Sequence, residues 1–393
     1  MKTTEFKSRF IFESPIDNSN GVKFIHASDI HLGAAQYRNE YRADDFINAF
    51  QEILDLAISY QVDFILLGGD VFTSLDMLPG KLTKIINILK DFKRFTKSSI
   101  PLIAIEGNHD IRKFSRGFRF NRRDQSWLKL LNSIGLIILL DADLEATPED
   151  MFEFYNFEKK RGGKIQIKNV MVYGTHYLGE QPVSFLSNIR KAIIKDDDVF
   201  NILLQHFGIE GQMDHVPGVK LEEVQPLRHR VNYLALGHFH KQYILEDWIY
   251  NPGSSEAACA IDNSFQRGIF LVELSKNSGK FIKNVTKIRI INRKHIWQKI
   301  CFNFEFRNKK DFEDFIMKKL YSSLKHLNFN IHPSNPQMPE LYLILKGLKP
   351  SKPNRINQKE LRKKICNALP VVDVRIYQKY EISLKTLDNY LIA

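Results

Sequence analysis

Gly107, Asn108, His109 and Asp110 place three polar side chains in a row directly after an apolar run at residues 100–106. Such a run is typical of a buried strand, and the glycine permits a sharp turn where that strand ends. The amide oxygen of Asn108 suits Mn²⁺ or Mg²⁺, and the imidazole of His109 suits most transition metals. Because turns are rich in Asn and Asp for conformational reasons, this segment alone is equally well explained as a loop.

Four other predicted strands end in residues of the same chemical kind. Each is a short apolar run followed by a carboxylate or an imidazole: Asp29 and His31, Asp70, His206, and His238 and His240. Alternate side chains of a strand point to the same side, so the pair at 29 and 31 and the pair at 238 and 240 are each predicted to share a face. The carboxyl ends of strands are also where sites lie in open α/β sheets.

Helical patterns separate the three predicted strands that precede Asp29, Asp70 and Asn108. Residues 42–60 and 79–97 carry apolar side chains at helical spacing. Alternating strands and helices predict an α/β layered fold. From about residue 295 the pattern changes to that of a small α+β domain. We therefore expect a polar leader at 1–20, a main domain at 21–293 and a C-terminal domain at 294–393.

Seven side chains are candidate metal ligands, and they are Asp29, His31, Asp70, Asn108, His206, His238 and His240. One ion needs four to six donors, so seven donors indicate two ions that share a bridging carboxylate. Mixed nitrogen and oxygen donors favour Mn, Fe or Zn over Ca. Two such ions lie about 3.5–4 Å apart and suit in-line hydrolysis of a phosphoester. His109 is then free to act as a general acid or to stabilise charge on the phosphate, with Asp110 orienting its ring.

A basic and aromatic segment follows this candidate site. Phe114, Phe118 and Phe120 alternate with six cations, which are Arg112, Lys113, Arg116, Arg119, Arg122 and Arg123. Such a segment is able to hold phosphates and stack bases, although a solvated basic loop has the same composition. The formal net charge of +12 likewise favours a polyanionic partner such as nucleic acid.

The remaining composition excludes several classes of protein. The 44% of hydrophobic residues argues against disorder, and the longest apolar run, at 134–140, is far shorter than the roughly 20 residues of a membrane helix. Residues 1–10 show no signal peptide. Cys259, Cys301 and Cys366 lie far apart, which fits a reducing cytoplasm better than a disulfide framework or a zinc site.

Taken in order, the motifs resemble those of the calcineurin-like metallophosphoesterase superfamily over residues 21–292. The strings that carry the resemblance are HASDIHLG, GGDVF, IEGNHD, LQHFGI, ALGHFHK and NPGS. Within the superfamily they resemble the double-strand-break repair nucleases called SbcD in bacteria and meiotic recombination eleven in archaea and eukaryotes. The resemblance implies a two-sheet sandwich flanked by helices, followed by a small α+β capping domain that helps to position DNA.

The resemblance also implies a role for each residue. One Mn²⁺ ion is expected on Asp29, His31, Asp70 and His240. The other is expected on Asp70, Asn108, His206 and His238, with Asp70 as the bridge, although Mg²⁺ or another divalent ion is an alternative. His109 becomes the catalytic histidine, and the basic segment after Asp110 becomes a DNA-contacting region.

Further expectations from the resemblance concern activity and partners. It implies 3′-to-5′ exonuclease and endonuclease activity, a homodimer with contacts near Leu82 and residues 127–131, an SMC-like ABC ATPase partner, and a nucleoid-associated cytoplasmic protein. Two departures stand out. Thr73 occupies a place where many relatives carry histidine, and no separate helical ATPase-binding tail is recognisable before Ala393.

Three interpretations of these residues compete. The first is a Mn-dependent DNA nuclease. The second is a metallophosphoesterase that acts on a small phosphodiester or a phosphoprotein. The third is a non-catalytic scaffold, which would be expected to have lost some of the ligands. The basic charge, the basic segment and the additional domain favour the nuclease.

Overall fold

The computed structural model describes residues 21–35, 39–111, 126–179, 181–214, 216–327 and 330–381. The chain forms two compact units. One comprises Met1–Gln36 and Phe46–Ile290, and the other comprises Tyr37–Asp45 and Ile291–Ala393. None of the helices in the described ranges combines the length and the apolar character needed to span a membrane.

The first unit alternates strands and helices along the chain. Its strands are β1 (Gly21–Ala27), β2 (Phe64–Leu67), β3 (Leu102–Ala104), β4 (Ile138–Leu139), β5 (Lys164–Ile167), β6 (Val170–Gly174), β7 (Phe200–Gln205), β8 (Tyr233–Leu236), β9 (Tyr243–Leu245), β10 (Ile249–Asn251), β11 (Ile269–Asn277) and β12 (Lys280–Ile288). Its helices are α1 (Glu40–Ser59), whose first turns belong to the second unit, α2 (Pro79–Phe95), α3 (Trp127–Ser133), α4 (Val183–Ala192) and α5 (Leu221–Val224).

These strands form two six-stranded sheets. The strand order is β12-β11-β1-β2-β3-β4 in the first sheet and β5-β6-β7-β8-β10-β9 in the second. Strands β1 to β4 are parallel to one another, as are β6, β7, β8 and β10. Parallel strands in chain order bring their carboxyl ends, and the loops that follow them, to the same edge of each sheet.

Apolar side chains fill three layers of this unit. Between the sheets, Phe24 stacks on Phe64 at 4.9 Å and contacts Tyr233 edge-on at 5.5 Å. The outer face of the first sheet packs against α1, α2 and α3, and that of the second sheet packs against α4 and its neighbouring loops. The prediction of an α/β fold with two sheets flanked by helices is therefore confirmed.

Several elements differ from the sequence-based expectation. Strands β5 and β10 and helix α4 were not predicted. Met151 and Phe152, in an acidic stretch of the chain, are buried in the core of the second sheet. Strands β5 and β10 have four and three residues, which are too few to establish a period.

The second unit is built on a three-stranded sheet of order β13 (His295–Phe302), β14 (Glu340–Leu348) and β15 (Asp373–Glu381). Its strands are parallel and are connected through helices α6 (Lys309–Leu324) and α7 (Gln358–Ala368). Both helices pack on one face of the sheet, where their apolar side chains form a separate core with Ile300, Leu343 and Val374. This unit supplies the small third sheet expected at the C-terminal end.

His26 connects the two large sheets through buried hydrogen bonds. Its Nε2–H donates to the carbonyl of Leu236 at 3.0 Å, and its Nδ1 lies 3.1 Å from the hydroxyl of Tyr233. Burial lowers the pKa of His26 to about 3 from its ordinary value of 6.5, despite the opposing effect of the bond to Leu236. The folded chain therefore holds His26 neutral at pH values where the unfolded chain protonates it.

We predict that His26 makes the metal-free protein sensitive to acid. Its contribution to stability is complete above about pH 6.5 and is lost as the pH falls toward about 3, because the unfolded chain takes up the proton first. Over that window one such group makes the free energy of unfolding fall by up to about 1.4 kcal/mol more for each pH unit. Urea unfolding in EDTA at several pH values should show a shallower decline for His26→Gln than for the wild type. Equal slopes would contradict this role.

Candidate metal centre

The seven candidate ligands lie in loops that follow five strands of the two sheets. Asp29 and His31 follow β1, Asp70 follows β2 and Asn108 follows β3 in the first sheet. From the second sheet, His206 follows β7, and His238 and His240 follow β8. The structure brings these seven side chains into two adjoining groups, each of which combines residues from both sheets.

The first group consists of Asp29, His31 and His240, whose ligand atoms lie within 4.8 Å of one another. The Nε2 atoms of the two histidines are 3.0 Å apart, and His240 Nε2 is 3.9 Å from Asp29 Oδ1. That carboxylate oxygen is buried and accepts no hydrogen bond from any described residue. A buried, unsatisfied carboxylate oxygen is costly in the absence of a cation, so this group fits a divalent metal ion.

The second group consists of Asp70, His206 and His238, joined by Asn108. His206 donates its Nδ1–H to the carbonyl of Gly68 at 2.7 Å, which turns Nε2 toward the centre of the group. There Nε2 lies 3.1 Å from Asn108 Oδ1 and 3.3 Å from Asp70 Oδ2. His238 Nδ1 lies 3.0 Å from the same amide oxygen. Nitrogen and oxygen donors that converge in this way form a second candidate ion site.

Asp70 belongs to the second group and also acts electrostatically on Asp29 and His31 of the first, and its carboxylate oxygens have separate partners. Oδ1 accepts the backbone N–H of His109 at 2.7 Å, whereas Oδ2 faces His206. Burial acts to raise the pKa of Asp70, but His206 outweighs it and holds the pKa below its ordinary value. Burial likewise acts to lower the pKa of His206, yet Asp70 raises it to about 9. A proton therefore occupies this position in the metal-free chain, and metal binding must release it.

The backbone that presents these ligands is strained. Asp29, His31 and Asp70 have φ values of 50°, 52° and 50°, and His238 has a φ of 84°. Residues other than glycine rarely adopt this left-handed region, and such strain is concentrated at functional sites. The expectation that His238 and His240 share a face was wrong, because both lie beyond β8 and they belong to different groups. Asp29 and His31 do lie in one group, as expected, but they lie beyond β1, and left-handed backbone conformations bring them together instead of strand alternation.

Two glycines allow the loops to approach one another. A Cβ on Gly107 would lie 2.2 Å from Asp70 Oδ1, so close approach, with no positive φ, explains this glycine. The sharp turn predicted for Gly107 is thus corrected. Gly69 has a φ of 89°, and a Cβ there would lie 2.5 Å from His206 Nδ1. Any larger residue at either position would push a ligand away.

The NPGS string supports the loop that carries His238 and His240. The buried side-chain amide of Asn251 donates to the carbonyls of Phe239 at 2.6 Å and Lys241 at 2.8 Å. The backbone N–H of Ser254 donates to the carbonyl of His240 at 3.1 Å. This string was therefore informative in the sequence because it fixes the position of two ligands.

Asp262 is a functional residue that the sequence did not reveal. Its fully buried carboxylate accepts the Nδ1–H of His240 at 2.8 Å and the backbone N–H groups of Ala258 and Cys259 at 2.9 and 3.0 Å. Burial acts to raise the pKa of Asp262, but the bond from His240 outweighs it and lowers the pKa to about 2. The anion fixes the tautomer of His240 so that Nε2 is available as a ligand. No motif marks Asp262, which lies in a short 3₁₀-helix at Ile261–Ser264.

We predict that Asp262→Asn weakens metal binding at the first group by about 10- to 100-fold, because outer partners of ligating histidines typically contribute that much. Calorimetric titration of the metal-free protein with Mn²⁺ measures the effect directly. Cys259→Ala is the matched control, since it removes a thiol that donates to the other oxygen of Asp262 but keeps the carboxylate. Unchanged Mn²⁺ affinity in Asp262→Asn would show that the carboxylate does not position His240.

His109 and Asp110 occupy different positions from those expected of a catalytic pair. His109 is exposed, and its Nδ1–H donates to the carbonyl of Thr73 at 3.0 Å. Asp110 is buried and accepts the backbone N–H groups of Gly107, Val71 and Phe72 at 2.9, 3.2 and 2.8 Å. The expectation that Asp110 orients the ring of His109 was therefore wrong: its carboxylate holds the two ligand loops together.

Two open recesses flank the candidate metal centre within the first unit. One, of about 590 Å³, is lined by His109, Asn108 and the segment from Thr73 to Asp76. The other, of about 680 Å³, lies beside His238 and Tyr177. An extended substrate is thus able to approach the two groups from either side. The six cations predicted to bind DNA, from Arg112 to Arg123, lie outside the described residues.

The calcineurin-like phosphoesterase family profile matches residues 22–242, which is more than half of the chain. The chain belongs to the calcineurin-like phosphoesterase family. It is accordingly a metal-dependent hydrolase of phosphate esters. The two donor groups correspond to the pair of divalent ions that members of this family use.

Similar proteins come from archaea. The chain is 30% identical over 240 residues to the DNA double-strand break repair protein Mre11 of Archaeoglobus fulgidus, which covers 60% of this chain and 50% of that protein. It is 26% identical over 386 residues to the Mre11 of Saccharolobus solfataricus, with coverage of 94% and 84%. It is 24% identical over 369 residues to the Mre11 of Sulfolobus acidocaldarius, with coverage of 93% and 84%. The chain thus spans about half the length of the first relative and most of the other two.

Proposed function

We propose that this protein is a Mn²⁺-dependent DNA nuclease of double-strand-break repair, with 3′-to-5′ exonuclease and endonuclease activity. The observation that carries the proposal is the pair of adjoining donor groups beside the exposed ring of His109, which lies 5.1 Å from the ring of His31 and whose backbone N–H donates to Asp70. The mixed nitrogen and oxygen donors fit Mn²⁺, as they also fit Fe or Zn, better than Ca²⁺. The similarity to proteins named for double-strand break repair supports DNA as the substrate.

Each candidate ligand is assigned to one or both of two metal ions. Asp29, His31 and His240 would hold one ion, and Asn108, His206 and His238 the other, and Asp70 is the residue that we assign to both. When bound, two such ions lower the pKa of water and neutralise charge that develops on the phosphate. The remaining roles belong to the chain's own side chains.

His109 is placed to move a proton. Because Thr73 accepts the Nδ1–H, Nε2 of His109 is the atom available to the substrate. Protonated there, the ring is able to donate to an oxygen of the phosphate or to the leaving oxygen as the phosphorus–oxygen bond breaks. The bond from its backbone N–H to Asp70 Oδ1 ties the position of this ring to the second donor group.

Three further assignments belong to the same proposal. The cations between Arg112 and Arg123 contact the DNA backbone, and residues 294–393 act as a capping domain that positions DNA. An SMC-like ABC ATPase is the expected partner in a nucleoid-associated cytoplasmic complex. The domain boundary predicted between residues 293 and 294 lies close to the division between Ile290 and Ile291 that separates the two compact units.

We also propose a homodimer that uses α3. Leu128 and Leu131 are buried in the core of the first unit, whereas Leu130 and Ile134 are 38% and 49% exposed. Exposed aliphatic side chains at the end of a short helix offer apolar surface for a dimer contact. Sedimentation equilibrium should give the dimer mass, and Leu130→Glu should reduce it to that of a monomer. A monomer at high concentration in the wild type would contradict the proposal.

The experiment that tests the nuclease is digestion of end-labelled linear duplex and single-stranded DNA with Mn²⁺, with Mg²⁺ and with EDTA. We expect Mn²⁺-dependent cleavage, and the product ladder reports the polarity of digestion. A generic phosphodiester dye is assayed in parallel. Hydrolysis of the dye without cleavage of any DNA would contradict the nuclease and favour a small phosphodiester as the substrate.

A further inference from the structure

The sheet of the second unit has one face that α6 and α7 do not cover. Alternate residues such as Ile300, Leu343 and Val374 pack against the helices, so the residues between them point to the opposite face. The first turns of α1 lie at one end of that face, where Arg42 Nε is 3.5 Å from Glu340. Beyond this end, the face is formed by the middle and last residues of β13, β14 and β15.

Three aromatic rings lie on this uncovered face in nearly parallel planes. Trp297 stacks on Tyr342 at 4.5 Å with an interplanar angle of 18°, and it lies 6.2 Å from Tyr377 at 17°. Tyr342 is fully buried by its neighbours. Trp297 and Tyr377, in contrast, are 49% and 37% exposed. Two large rings thus present area to solvent on a rigid sheet, where a planar ligand is able to stack.

Lysines surround these rings. Lys299 lies next to Trp297 along β13, and across the strands it is in register with Ile344 and Tyr377. The following row places Cys301, Lys346 and Lys379 side by side. All three lysines are exposed, and Lys299 and Lys379 form no ion pair with a described residue.

Acidic groups on this face are few and are already paired. Glu381, at the far end, lies 3.4 Å from Lys346. Asp373, at the near end, is bound by Arg362 at 2.6 Å, and Glu340 lies beside Arg42. The middle of the face therefore combines exposed aromatic rings with unneutralised positive charge, which is the combination that binds single-stranded nucleic acid.

We propose that this face binds single-stranded DNA, with bases stacked on Trp297 and Tyr377 and phosphates held by Lys299, Lys346 and Lys379. Duplex DNA does not suit the face, because its bases are already stacked on one another and offer no free plane to a side chain. The inference rests on the proposed function for its choice of DNA, since processing of DNA ends produces unpaired strands. It would give the second unit a recognition role independent of metal ions.

The test is fluorescence anisotropy of a labelled oligothymidylate with the full chain in EDTA, which prevents hydrolysis. Trp297→Ala should weaken binding about 5- to 100-fold, the range found when an aromatic ring that stacks on a base is removed. Trp297→Phe should retain most of the affinity. The double variant Lys299→Glu and Lys379→Glu should reduce the slope of log affinity against log salt by about 0.7 for each lysine. A duplex of equal length should bind the wild type more weakly than the oligothymidylate does, and Trp297→Ala should not weaken that binding further.

Matched controls come from the helix-covered side of the same unit. Tyr321 on α6 is 45% exposed and Lys363 on α7 is exposed, so Tyr321→Ala and Lys363→Glu should leave binding unchanged. Equal affinity of Trp297→Ala and the wild type would overturn the inference. So would a change in sedimenting mass on Trp297→Ala, which would make the face a contact between two copies of the chain.

The outcome also separates this inference from the proposed nuclease. If Trp297→Ala loses single-strand binding and the wild type cleaves no DNA with Mn²⁺, the nuclease proposal is contradicted and the binding face is supported. If every variant binds normally and the wild type does cleave DNA, the binding face is contradicted and the nuclease proposal is supported. Circular dichroism confirms that each variant is folded, and the two lysine changes lie on the surface where they leave the core intact.

Discussion

Asp70→Asn should abolish hydrolysis and weaken binding of both metal ions by more than the roughly 10- to 100-fold loss typical of an outer partner. Asparagine keeps an oxygen for the backbone N–H of His109, so the loop that carries Asn108 stays in place. It replaces Oδ2, which lies 3.3 Å from His206, with an N–H₂ group that repels a cation. Loss of two ions from one substitution is the signature of a shared ligand.

Calorimetric titration with Mn²⁺ and metal analysis of the purified variant measure this loss. Asp55→Asn, an exposed carboxylate on α1, is the matched control and should bind two ions as the wild type does. If Asp70→Asn retained one tight ion, Asp70 would belong to a single group and would not bridge. If the variant retained two tightly bound ions, Asp70 would not be a metal ligand.

The second large effect is expected for His109→Asn. This variant should lower the rate of hydrolysis by about 10²- to 10⁴-fold, the usual contribution of a general acid, while both ions remain bound. The selectivity follows from the structure. The His109 side chain is bonded to the Thr73 carbonyl, and only its backbone N–H contacts Asp70. Replacing the ring therefore leaves every donor atom of the two groups in place.

Single-turnover hydrolysis with Mn²⁺, together with the calorimetric stoichiometry, separates chemistry from metal binding. His229→Asn, an exposed histidine of the same unit, serves as the control and should behave as the wild type. Normal cleavage by His109→Asn would show that the ring takes no part in proton transfer. Loss of an ion from the variant would place His109 among the ligands instead.

Much of the metal centre was predictable from the sequence because each ligand follows an apolar strand. Parallel pairing then brings Asp70 and Asn108 to one edge of the first sheet, and His206 and His238 to one edge of the second, whatever the detailed loop geometry. The local reasoning was less reliable. Asp29 and His31 come together through left-handed backbone conformations, which no alternation rule describes.

The missed features share a physical cause, since they depend on contacts between segments that are distant in sequence. Asp262 reaches His240 from a short 3₁₀-helix 22 residues away, and the carboxylate of Asp110 turns from the adjacent His109 toward amides near residue 71. Strands β5 and β10 are defined by pairing with their neighbours and are too short to show a period. The helices, whose apolar faces repeat over several turns, were predicted to within a few residues.

The measurement that tests the central claim most directly is electron paramagnetic resonance of the Mn²⁺-loaded protein, combined with its metal content. Two groups that share Asp70 should bind two Mn²⁺ ions per chain and give the spectrum of a spin-coupled pair. Asp70→Asn should lose that spectrum, whereas His109→Asn should keep it. One ion per chain, or two ions that give the spectrum of isolated Mn²⁺, would contradict a shared two-metal centre.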